Sequence, residues 1–446
     1  MRTFDMVVIG AGPAGYESAL ELGRGGKRVL LIDRAKERIG GTCLNEGCIP
    51  AKTYLESADY SHKAELFRER GLNVSVGELD LGVLRGKKDA LVDEIRSGVV
   101  WLLDQAKVEL AYGSAKFTGL KTIDLEGETI GFKQCVIAVG STVREVASLP
   151  VDGRRIITST EVFEMETLPE SVAIVGGGAI GCEMASFFNG FGVAVTLIGR
   201  REYLVPNEDE DVSKALMREF KKRGMRLLSG VNVEKAEVTE SGVVLSVGEE
   251  SITCDTVLVA AGRVPNTAGL EAEKAGVKLD GKGYVSVDGA FRTANPDIYA
   301  IGDCIPTPGY AHTAYAEAKV AAHNILTGES KENTRLTPSA IFAHPNVGSC
   351  GLSETQAKAK GLEVIVKKAY FKASARAKIH GNDGGFAKVV VDAGSGKLLG
   401  ASIVGVGATE TIHELLVGIE QGMTLDAMKN LIYVHPSLAE IVTLLQ

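Results

Sequence analysis

Two stretches of the chain share one pattern: MVVIGAGPAGYESALELGRGGKRVLLID over residues 6–33 and VAIVGGGAIGCEMASFFNGFGVAVTLIG over residues 172–199. In each, an apolar strand leads into a glycine-rich turn, an amphipathic helix and a second apolar strand. Glycines at such a turn let backbone amides at the helix N-terminus approach a pyrophosphate. The flanking strand and helix therefore predict two units that bind dinucleotides. The turn glycines are Gly10, Gly12 and Gly15 in the first copy and Gly176, Gly178 and Gly181 in the second.

The residue that ends the second strand differs between the two copies. Asp33 supplies a carboxylate that accepts hydrogen bonds from ribose hydroxyls. Gly199 takes that place in the second copy and is followed by Arg200 and Arg201. Guanidinium groups without a carboxylate favour a 2'-phosphate, and hence NADP(H), but two solvated surface arginines beside Glu202 would give the same sequence. The choice between NAD(H) and NADP(H) stays open.

A cysteine pair lies in GGTCLNEGCIPAK, residues 40–52. Five residues of regular helix advance about 7.5 Å, which exceeds the roughly 7 Å between Cα atoms that a disulfide tolerates. The backbone between Cys43 and Cys48 must therefore be distorted, and Gly47 permits this. Pro50 suits the first turn of a helix, so Cys48 is expected near a helix N-terminus, where a thiolate is favoured. These features predict a redox-active pair rather than two unrelated buried cysteines.

VHPSLAE near the C-terminus contains His435 and Glu440. A histidine oriented by a carboxylate is a common general base near neutral pH, and thiol chemistry needs such a base. Two surface residues five positions apart would look the same. The cysteine pair elsewhere in the chain favours the catalytic interpretation. No second cysteine pair or histidine cluster has the spacing of metal ligands, so we predict no metal site.

The composition is that of an ordinary globular protein of 446 residues, with a formal charge of −8 and an isoelectric point near 5.6. Mixed acidic and basic residues give no reason to expect nucleic acid or a membrane as partner. Seven scattered cysteines indicate a reducing compartment. The first residues lack the features of a signal peptide, and no apolar run approaches the roughly 20 residues that cross a bilayer. A cytoplasmic protein is expected.

The order of predicted elements gives an α/β fold with two Rossmann-like dinucleotide-binding domains and a C-terminal α+β domain. After the second repeat, strands are expected at residues 242–247 and 256–260. From residue 337 onward, strands at 364–371, 386–391 and 398–404 alternate with helices at 353–359 and 410–421. Ser353 and Gln356 form a capping box for the first of these helices. The predicted segments are 1–145 and 263–336 for the first domain, 146–262 for the second and 337–446 for the third.

Taken together, these motifs resemble the pyridine nucleotide-disulfide oxidoreductases, and within them the dihydrolipoamide dehydrogenases, over nearly the whole chain. Further stretches carry the resemblance: TANPDIYAIGD, which ends at Asp303, and HPNVGSCGLSE and GVGATETIHELL, which are similar to the family's dimerisation domain. The resemblance implies FAD in the first domain, NAD(H) or NADP(H) in the second, and a homodimer. It implies oxidation of a protein-bound dihydrolipoyl group, or conversion of a small dithiol or disulfide.

The resemblance also implies roles for individual residues. Cys43 would be the interchange thiol that meets the substrate, and Cys48 the charge-transfer thiol beside the flavin, the two forming the redox disulfide. Lys52, paired with Glu183, would lie near the flavin. Asp303 would contact the ribityl chain, and Gly140 belongs to a segment at the cofactor. His435 and Glu440 would act on the disulfide of the partner subunit.

The chain departs from the family pattern at four places. Gly199 replaces the acidic residue of the second dinucleotide unit, Val139 replaces a threonine before Gly140, and Glu46 puts a negative charge between the cysteines. The chain also ends six residues after Glu440, and this C-terminal length is closer to that of glutathione reductase.

Two alternatives to a dihydrolipoyl substrate stay open. One is an NADPH-dependent reductase of a soluble disulfide such as glutathione. Ala51, before Lys52, argues against this alternative, because it resembles the serine of dihydrolipoamide dehydrogenases more than the lysine of glutathione reductases. The other is a flavin-binding docking subunit without turnover. Such a subunit would not need the cysteine pair or His435, so their presence argues against it. A mercuric reductase is disfavoured because the C-terminus has no cysteine pair.

Overall fold

A computed structural model describes residues 1–446, with the side chains of His62 and Glu65 excepted. The chain forms two compact units, each assembled from three stretches. The first unit comprises Met1–Pro50, Val83–Arg144 and Arg263–Thr334, and the second comprises Ala51–Gly82, Glu145–Gly262 and Arg335–Gln446. The boundaries of the sequence segments given above stay predictions.

Helices and strands occur along the whole chain. The helices are α1 (Pro13–Arg24), α2 (Gly41–Asn45), α3 (Cys48–Glu69), α4 (Leu81–Gln105), α5 (Ser159–Val162), α6 (Ala179–Gly190), α7 (Glu210–Lys222), α8 (Ala311–Thr327), α9 (Glu354–Ala359), α10 (Ala375–His380), α11 (Ala408–Glu420) and α12 (Leu425–Lys429). Short 3-10 helices cover Lys36–Arg38, Ala272–Ala275, Gly302–Cys304, Phe371–Ala373 and Ala439–Leu444. The strands are β1 (Arg2–Ile9), β2 (Val29–Asp33), β3 (Glu109–Tyr112), β4 (Ala115–Gly119), β5 (Thr122–Leu125), β6 (Glu128–Ile137), β7 (Ser141–Val143), β8 (Ile156–Ile157), β9 (Ser171–Val175), β10 (Ala194–Gly199), β11 (Arg226–Ser229), β12 (Val233–Val238), β13 (Val243–Val247), β14 (Glu250–Cys254), β15 (Thr256–Val259), β16 (Arg263–Pro265), β17 (Ile298–Ala300), β18 (Ser339–Ile341), β19 (Val347–Gly351), β20 (Val364–Tyr370), β21 (Phe386–Asp392) and β22 (Leu398–Val404).

The first unit is built on a seven-stranded sheet ordered β3-β2-β1-β6-β5-β4, in which β17 also pairs with β6. β1 runs parallel to β2 and β6, so Met6 lies opposite both Val29 and Gln134. α1 makes the crossover that parallel neighbours require. Residues 29–32 are buried on both faces, which explains a continuous apolar run instead of alternation. The carboxyl ends of β1 and β2 therefore bring Gly10 and Asp33 to one edge of the sheet.

The second unit repeats this arrangement in a parallel sheet ordered β11-β10-β9-β15-β8. β9 and β10 are neighbours with Val172 opposite Val195, and α6 connects them. Most of α6 is buried, including Phe187 and Phe188. An antiparallel sheet of β12, β13 and β14 follows, in which β13 corresponds to the strand expected at residues 242–247, whereas the strand expected at residues 256–260 is β15 of the parallel sheet. The sequence repeat thus corresponds to two sheets, each with its glycine turn at a carboxyl edge.

The C-terminal part of the second unit is an antiparallel sheet ordered β18-β19-β22-β21-β20. Buried residues of α11 join its core. The capping box of α9 is present, because Ser353 accepts from the Gln356 amide while the Gln356 side chain accepts from the Ser353 amide. β20 ends one residue earlier than expected, because Phe371 begins a 3-10 helix and is fully buried. This part therefore has the expected α+β character.

A buried lysine ties two parts of the second unit together. The Nζ atom of Lys388 on β21 lies 2.9 Å from Asp209, 2.7 Å from Asp211 and 2.8 Å from Glu354. The side chains of Lys388 and Asp209 are each only 3% exposed. Removing Lys388 would leave the buried Asp209 carboxylate without this cation, at a cost of roughly 3–5 kcal/mol. The cluster fixes the start of α7 to the antiparallel sheet.

The two longest helices are α3, with 22 residues, and α4, with 25. Both carry charged residues along their length. Across the described part of the chain, no helix combines the length and the apolar character needed to cross a membrane.

Candidate active site

The glycine turns of the two sheets have closely similar geometry. Gly10 and Gly176 have φ values of +101° and +133°, which glycine adopts easily and other residues rarely adopt. Gly12 and Gly178 are the N-cap residues of α1 and α6. The first-turn amides of both helices therefore point to the sheet edge, as anion binding requires.

The remaining glycines explain how close the helices come to the strands. A Cβ atom on Gly15 would collide with the carbonyl oxygen of Gly10, and one on Gly181 with that of Gly176. A Cβ atom on Gly178 would instead enter open space, with no described atom within 4 Å. The turns thus combine tight helix packing with backbone that a ligand can approach, which fits a dinucleotide pyrophosphate.

Asp33 is held at the end of β2 by two backbone amides. Its Oδ2 accepts a hydrogen bond from Ala11 N at 2.6 Å, and its Oδ1 accepts from Arg34 N at 2.7 Å. Burial raises the pKa of Asp33, and the two amides and nearby arginines oppose this rise. Each carboxylate oxygen can accept a second hydrogen bond. The side chain is therefore oriented, with acceptor capacity left for ribose hydroxyls.

A second carboxylate of the first unit, Asp303, ends a short hydrogen-bond chain. Arg263 donates to Ser141 Oγ at 2.7 Å, and Ser141 Oγ donates to Asp303 Oδ2 at 2.7 Å. Gly140, with φ +68°, precedes Ser141 and accepts from Asn266 N at 2.9 Å. The predicted cofactor residues Gly140 and Asp303 are thus linked by Ser141, which the sequence analysis did not single out.

The cysteine pair lies where one helix ends and the next begins. Cys43 is in α2, which ends at Asn45, and Cys48 is the first residue of α3. The expected break in the helix is present at residues 46–47. A Cβ atom on Gly47 would lie 2.8 Å from Thr42 O, so glycine is needed for this close turn. Cys48 therefore lies at a helix N-terminus, which favours a thiolate.

The two cysteines differ from the other five in accessibility. Cys43 is half-buried and Cys48 exposed, whereas the others are buried. Burial raises the pKa of the other thiols, for example to about 12 for Cys350 and for Cys304. Thiolates are the reactive form of cysteine. Accessibility therefore favours Cys43 and Cys48 as the reactive pair. The buried cysteines are Cys135, Cys182, Cys254, Cys304 and Cys350.

Asn45 and Glu46, between the cysteines, fix the loop. Asn45 Nδ2 donates to the carbonyl oxygens of Arg38, Ile39 and Gly41, at 3.3, 3.2 and 2.8 Å. Arg38 Nη1 donates to Glu46 Oε1 at 2.7 Å. The contact with Arg38 was not expected from the sequence, because nothing in the local pattern links residues 38 and 46.

Lys52 and Glu183 form an ion pair within the second unit. Lys52 Nζ lies 3.0 and 2.9 Å from the two carboxylate oxygens of Glu183. Glu183 is 5% exposed and also accepts from Phe342 N at 3.0 Å. Lys52 Nζ lies 4.6 Å from the centroid of the Phe342 ring. The structure therefore brings together the pair that the family resemblance implied, in a fixed orientation.

His435 and Glu440 are also in direct contact. His435 Nδ1 lies 2.9 Å from Glu440 Oε1, and Ser437 N donates to Glu440 Oε2 at 2.7 Å. The amide of Ser437 and the ring of His435 lower the pKa of Glu440. The His435 side chain is 73% exposed. The carboxylate thus orients an accessible imidazole whose Nε2 faces away from Glu440.

Arg200 and Arg201 follow β10 and are both exposed. Backbone bonds fix this corner, since Val231 N donates to Gly199 O and Gly230 N to Arg201 O. Gly199 lies outside the left-handed region, and a Cβ atom on it would be no closer than 3.7 Å to its nearest neighbour. A side chain therefore fits at residue 199. The missing carboxylate is not forced by backbone geometry.

Two family models match the chain. The model of the pyridine nucleotide-disulphide oxidoreductases matches residues 4–318, and that of the family's dimerisation domain matches residues 337–445. The chain belongs to the pyridine nucleotide-disulphide oxidoreductase family. The family resemblance and the fold class expected from the sequence are confirmed. The chain is an FAD-dependent oxidoreductase that uses a nicotinamide dinucleotide, and it carries a dimerisation domain.

Relatives in this family include dihydrolipoyl dehydrogenases. The one from Chlorobaculum tepidum is 37% identical, with 98% of this chain and 95% of the relative aligned. The one from Thermus scotoductus is 36% identical, with 99% and 96% aligned.

Two solved structures resemble this chain over nearly its whole length. The Cu(II) complex of RclA, an HOCl-induced flavoprotein disulfide reductase from Escherichia coli, has a TM-score of 0.90 at 26% identity and covers 99% of both chains. LpdA from Mycobacterium tuberculosis has a TM-score of 0.90 at 26% identity, covering 99% of this chain and 98% of its own. The structural likeness therefore extends over both units.

Proposed function

We propose that this oxidoreductase oxidises protein-bound dihydrolipoyl groups and passes the electrons to NAD+ or NADP+. The observation that carries the proposal is the accessible pair Cys43 and Cys48 at the helix break, in a chain whose other cysteines are buried. The dihydrolipoyl dehydrogenases that align over almost the whole chain support this substrate.

In this proposal the chain's own residues carry the thiol exchange. A substrate thiolate attacks Cys43 Sγ of the oxidised pair, and the Cys43–Cys48 bond breaks to release the Cys48 thiolate. The second substrate thiol then attacks the mixed disulfide, releasing Cys43 and the cyclic substrate disulfide, so two electrons remain on the cysteine pair. His435 accepts one proton at a time. It removes the proton of the first substrate thiol and releases it to solvent. It then removes the proton of the second thiol and transfers it to the departing Cys43 thiolate, while Cys48 remains a thiolate. Glu440 orients the imidazole.

The first unit would hold FAD at the first glycine turn, with Asp33 and Asp303 as carboxylate contacts. The position of Lys52, oriented by Glu183, near the flavin stays an implication of the family resemblance. The second turn would hold the nicotinamide dinucleotide. FAD, when bound, supplies the two-electron link between thiols and nicotinamide. The chain would work as a homodimer in which His435 serves the partner subunit's cysteine pair. A cytoplasmic location stays a prediction.

Steady-state kinetics test the substrate. Purified enzyme is assayed with dihydrolipoamide and with glutathione disulfide, each with both coenzymes. We expect dihydrolipoamide to give the larger kcat/KM, and a lipoylated carrier domain to compete with it. Turnover of glutathione disulfide alone would reject the proposed substrate and favour the second candidate, an NADPH-dependent disulfide reductase. This candidate is favoured by the end of the second dinucleotide unit, where Gly199 takes the place of the acidic residue and is followed by Arg200 and Arg201, as NADPH binding would require.

The double variant Arg200→Gln/Arg201→Gln tests the coenzyme. If either guanidinium binds a 2'-phosphate, the KM for NADP(H) should rise about tenfold or more, since charge-assisted hydrogen bonds contribute roughly 1.5–3 kcal/mol. The KM for NAD(H) should barely change. Kinetics with both coenzymes on wild type and variant measure the difference.

The exposed pair Lys221 and Lys222 at the end of α7 provides a control for total charge. Lys221→Gln/Lys222→Gln removes the same charge and should leave both coenzyme constants unchanged. A wild type that clearly prefers NAD(H) would contradict the 2'-phosphate interpretation and assign the arginines to the solvated surface.

A further inference from the structure

Glu46 is held beside the cysteine pair by the backbone as well as by its side chain. Its amide donates to Thr42 O at 2.9 Å, and it is the C-cap residue of α2. Residue 47 has no space for a side chain, because a Cβ atom there would approach Thr42 O and Cys43 Cα. The backbone of Glu46 is therefore restrained between the two cysteines, and its carboxylate belongs to the redox loop.

This position is electrostatically unfavourable for thiol chemistry. Reduction of a disulfide breaks a neutral S–S bond and, with two electrons and one proton, yields one thiol and one thiolate. The new negative charge would form in a loop that already contains a carboxylate. Like charges at short range disfavour each other's charged form. A compensating cation is needed.

Arg263 interacts electrostatically with Glu46 and Cys48. Arg38 makes a direct ion pair with the Glu46 carboxylate. Arg38 ends the 3-10 helix Lys36–Arg38, and its Nη1 lies 2.7 Å from Glu46 Oε1. Its backbone carbonyl accepts from Asn45 Nδ2, so Arg38 is joined to the redox loop through both its main chain and its side chain. The bond to Glu46 raises the pKa of the Arg38 guanidinium. The Arg38 and Glu46 side chains are 39% and 29% exposed, so solvent screens the pair only in part.

We propose that Arg38 is a positioning residue of the redox site: its guanidinium neutralises the Glu46 carboxylate and so favours ionisation of the Cys43 thiol in the reduced enzyme. The inference rests on the proposed role of Cys43 as the reactive thiol. A surface ion pair with only a structural role would hold the loop without affecting the ionisation of the thiol.

The test measures thiol ionisation in holoenzyme reduced with dithiothreitol and then desalted under argon. The alkylation rate of Cys43 by iodoacetamide is followed by peptide mass spectrometry across a pH series. Variants are Arg38→Met, Glu46→Gln and the double variant, with bound FAD measured in each. Arg2→Met is the matched control, because Arg2 makes a similarly exposed 2.8 Å ion pair with Glu128.

Opposite changes of the alkylation rate in the two single variants distinguish the proposal from a structural role. Below the midpoint of the pH profile, Arg38→Met should slow alkylation about threefold and Glu46→Gln should accelerate it about threefold, as expected for one partly screened charge nearby. The double variant should return close to wild type, and Arg2→Met should not change the rate. The shifts should shrink in 0.5 M salt, by about half or more.

Several results would overturn the inference. Unchanged profiles in both single variants, or shifts in the same direction, would leave Arg38 with a structural role only. If Arg38→Met does not fold, the Glu46→Gln variant still tests the proposal. Faster alkylation of Cys43 in that variant supports the proposal, and an unchanged rate rejects it. A wild-type Cys43 that resists alkylation after reduction would reject both the proposed function and this inference, whereas alkylation without the charge dependence rejects the inference alone.

Discussion

Cys43→Ser should retain bound FAD and lose dihydrolipoamide turnover by about 1000-fold or more, because the Cys43–Cys48 disulfide that the substrate thiolate attacks can no longer form. A serine oxygen cannot form a disulfide bond with Cys48. The substitution changes one half-buried atom of α2 and leaves the glycine turn and Asp33 unchanged. Steady-state kinetics and the flavin absorbance of the purified variant measure the two effects.

Cys350→Ala provides the control for this experiment. Cys350 is buried in β19, and burial raises the pKa of its thiol to about 12, so it is not expected to react. Its loss should leave turnover near the wild-type value. Wild-type turnover in Cys43→Ser would refute the assigned role, and loss of FAD would mean that the substitution had disturbed the first unit.

The sequence was sufficient for features that depend on neighbouring residues along the chain. The glycine turns follow from a local requirement for positive φ and close helix packing, as Gly10 and Gly15 illustrate. The break between α2 and α3 follows from the reach of a disulfide, and the cap of α9 from the spacing of Ser353 and Gln356. In each case the physical constraint acts within about one turn of chain.

Contacts between distant residues could not be derived in the same way. Ser141 bonds Asp303, 162 residues away, and no periodicity or spacing relates the two. Arg38 and Glu46 are only eight residues apart, yet their contact depends on a 3-10 helix and a left-handed glycine at residue 40 that fold the chain back. The pair Lys52–Glu183 was expected only through the family resemblance, which carries tertiary information that composition and periodicity lack, whereas His435 and Glu440, five residues apart, were already indicated by the local sequence.

His435→Ala should keep the fold and bound FAD and lose about 100-fold or more in turnover, within the usual range for a positioned acid–base group. The imidazole is accessible and its Nδ1 faces Glu440, so the variant removes a proton acceptor without opening a buried cavity. His323→Ala is the matched control, because His323 also contacts a carboxylate, 2.8 Å away in Glu329, on an exposed face. It should remain active.

A mixed dimer separates action across the subunit interface from action within one subunit. If His435 serves the partner subunit's cysteines, a dimer of one Cys43→Ser chain and one His435→Ala chain has one site with both defects and one intact site. Random mixing would then restore about a quarter of wild-type activity, because half of the dimers are mixed and each has one working site of two. If both residues serve the same subunit, every site carries a defect and mixing restores no activity. Restored activity therefore requires that the catalytic unit be the dimer, and an active isolated monomer would contradict it.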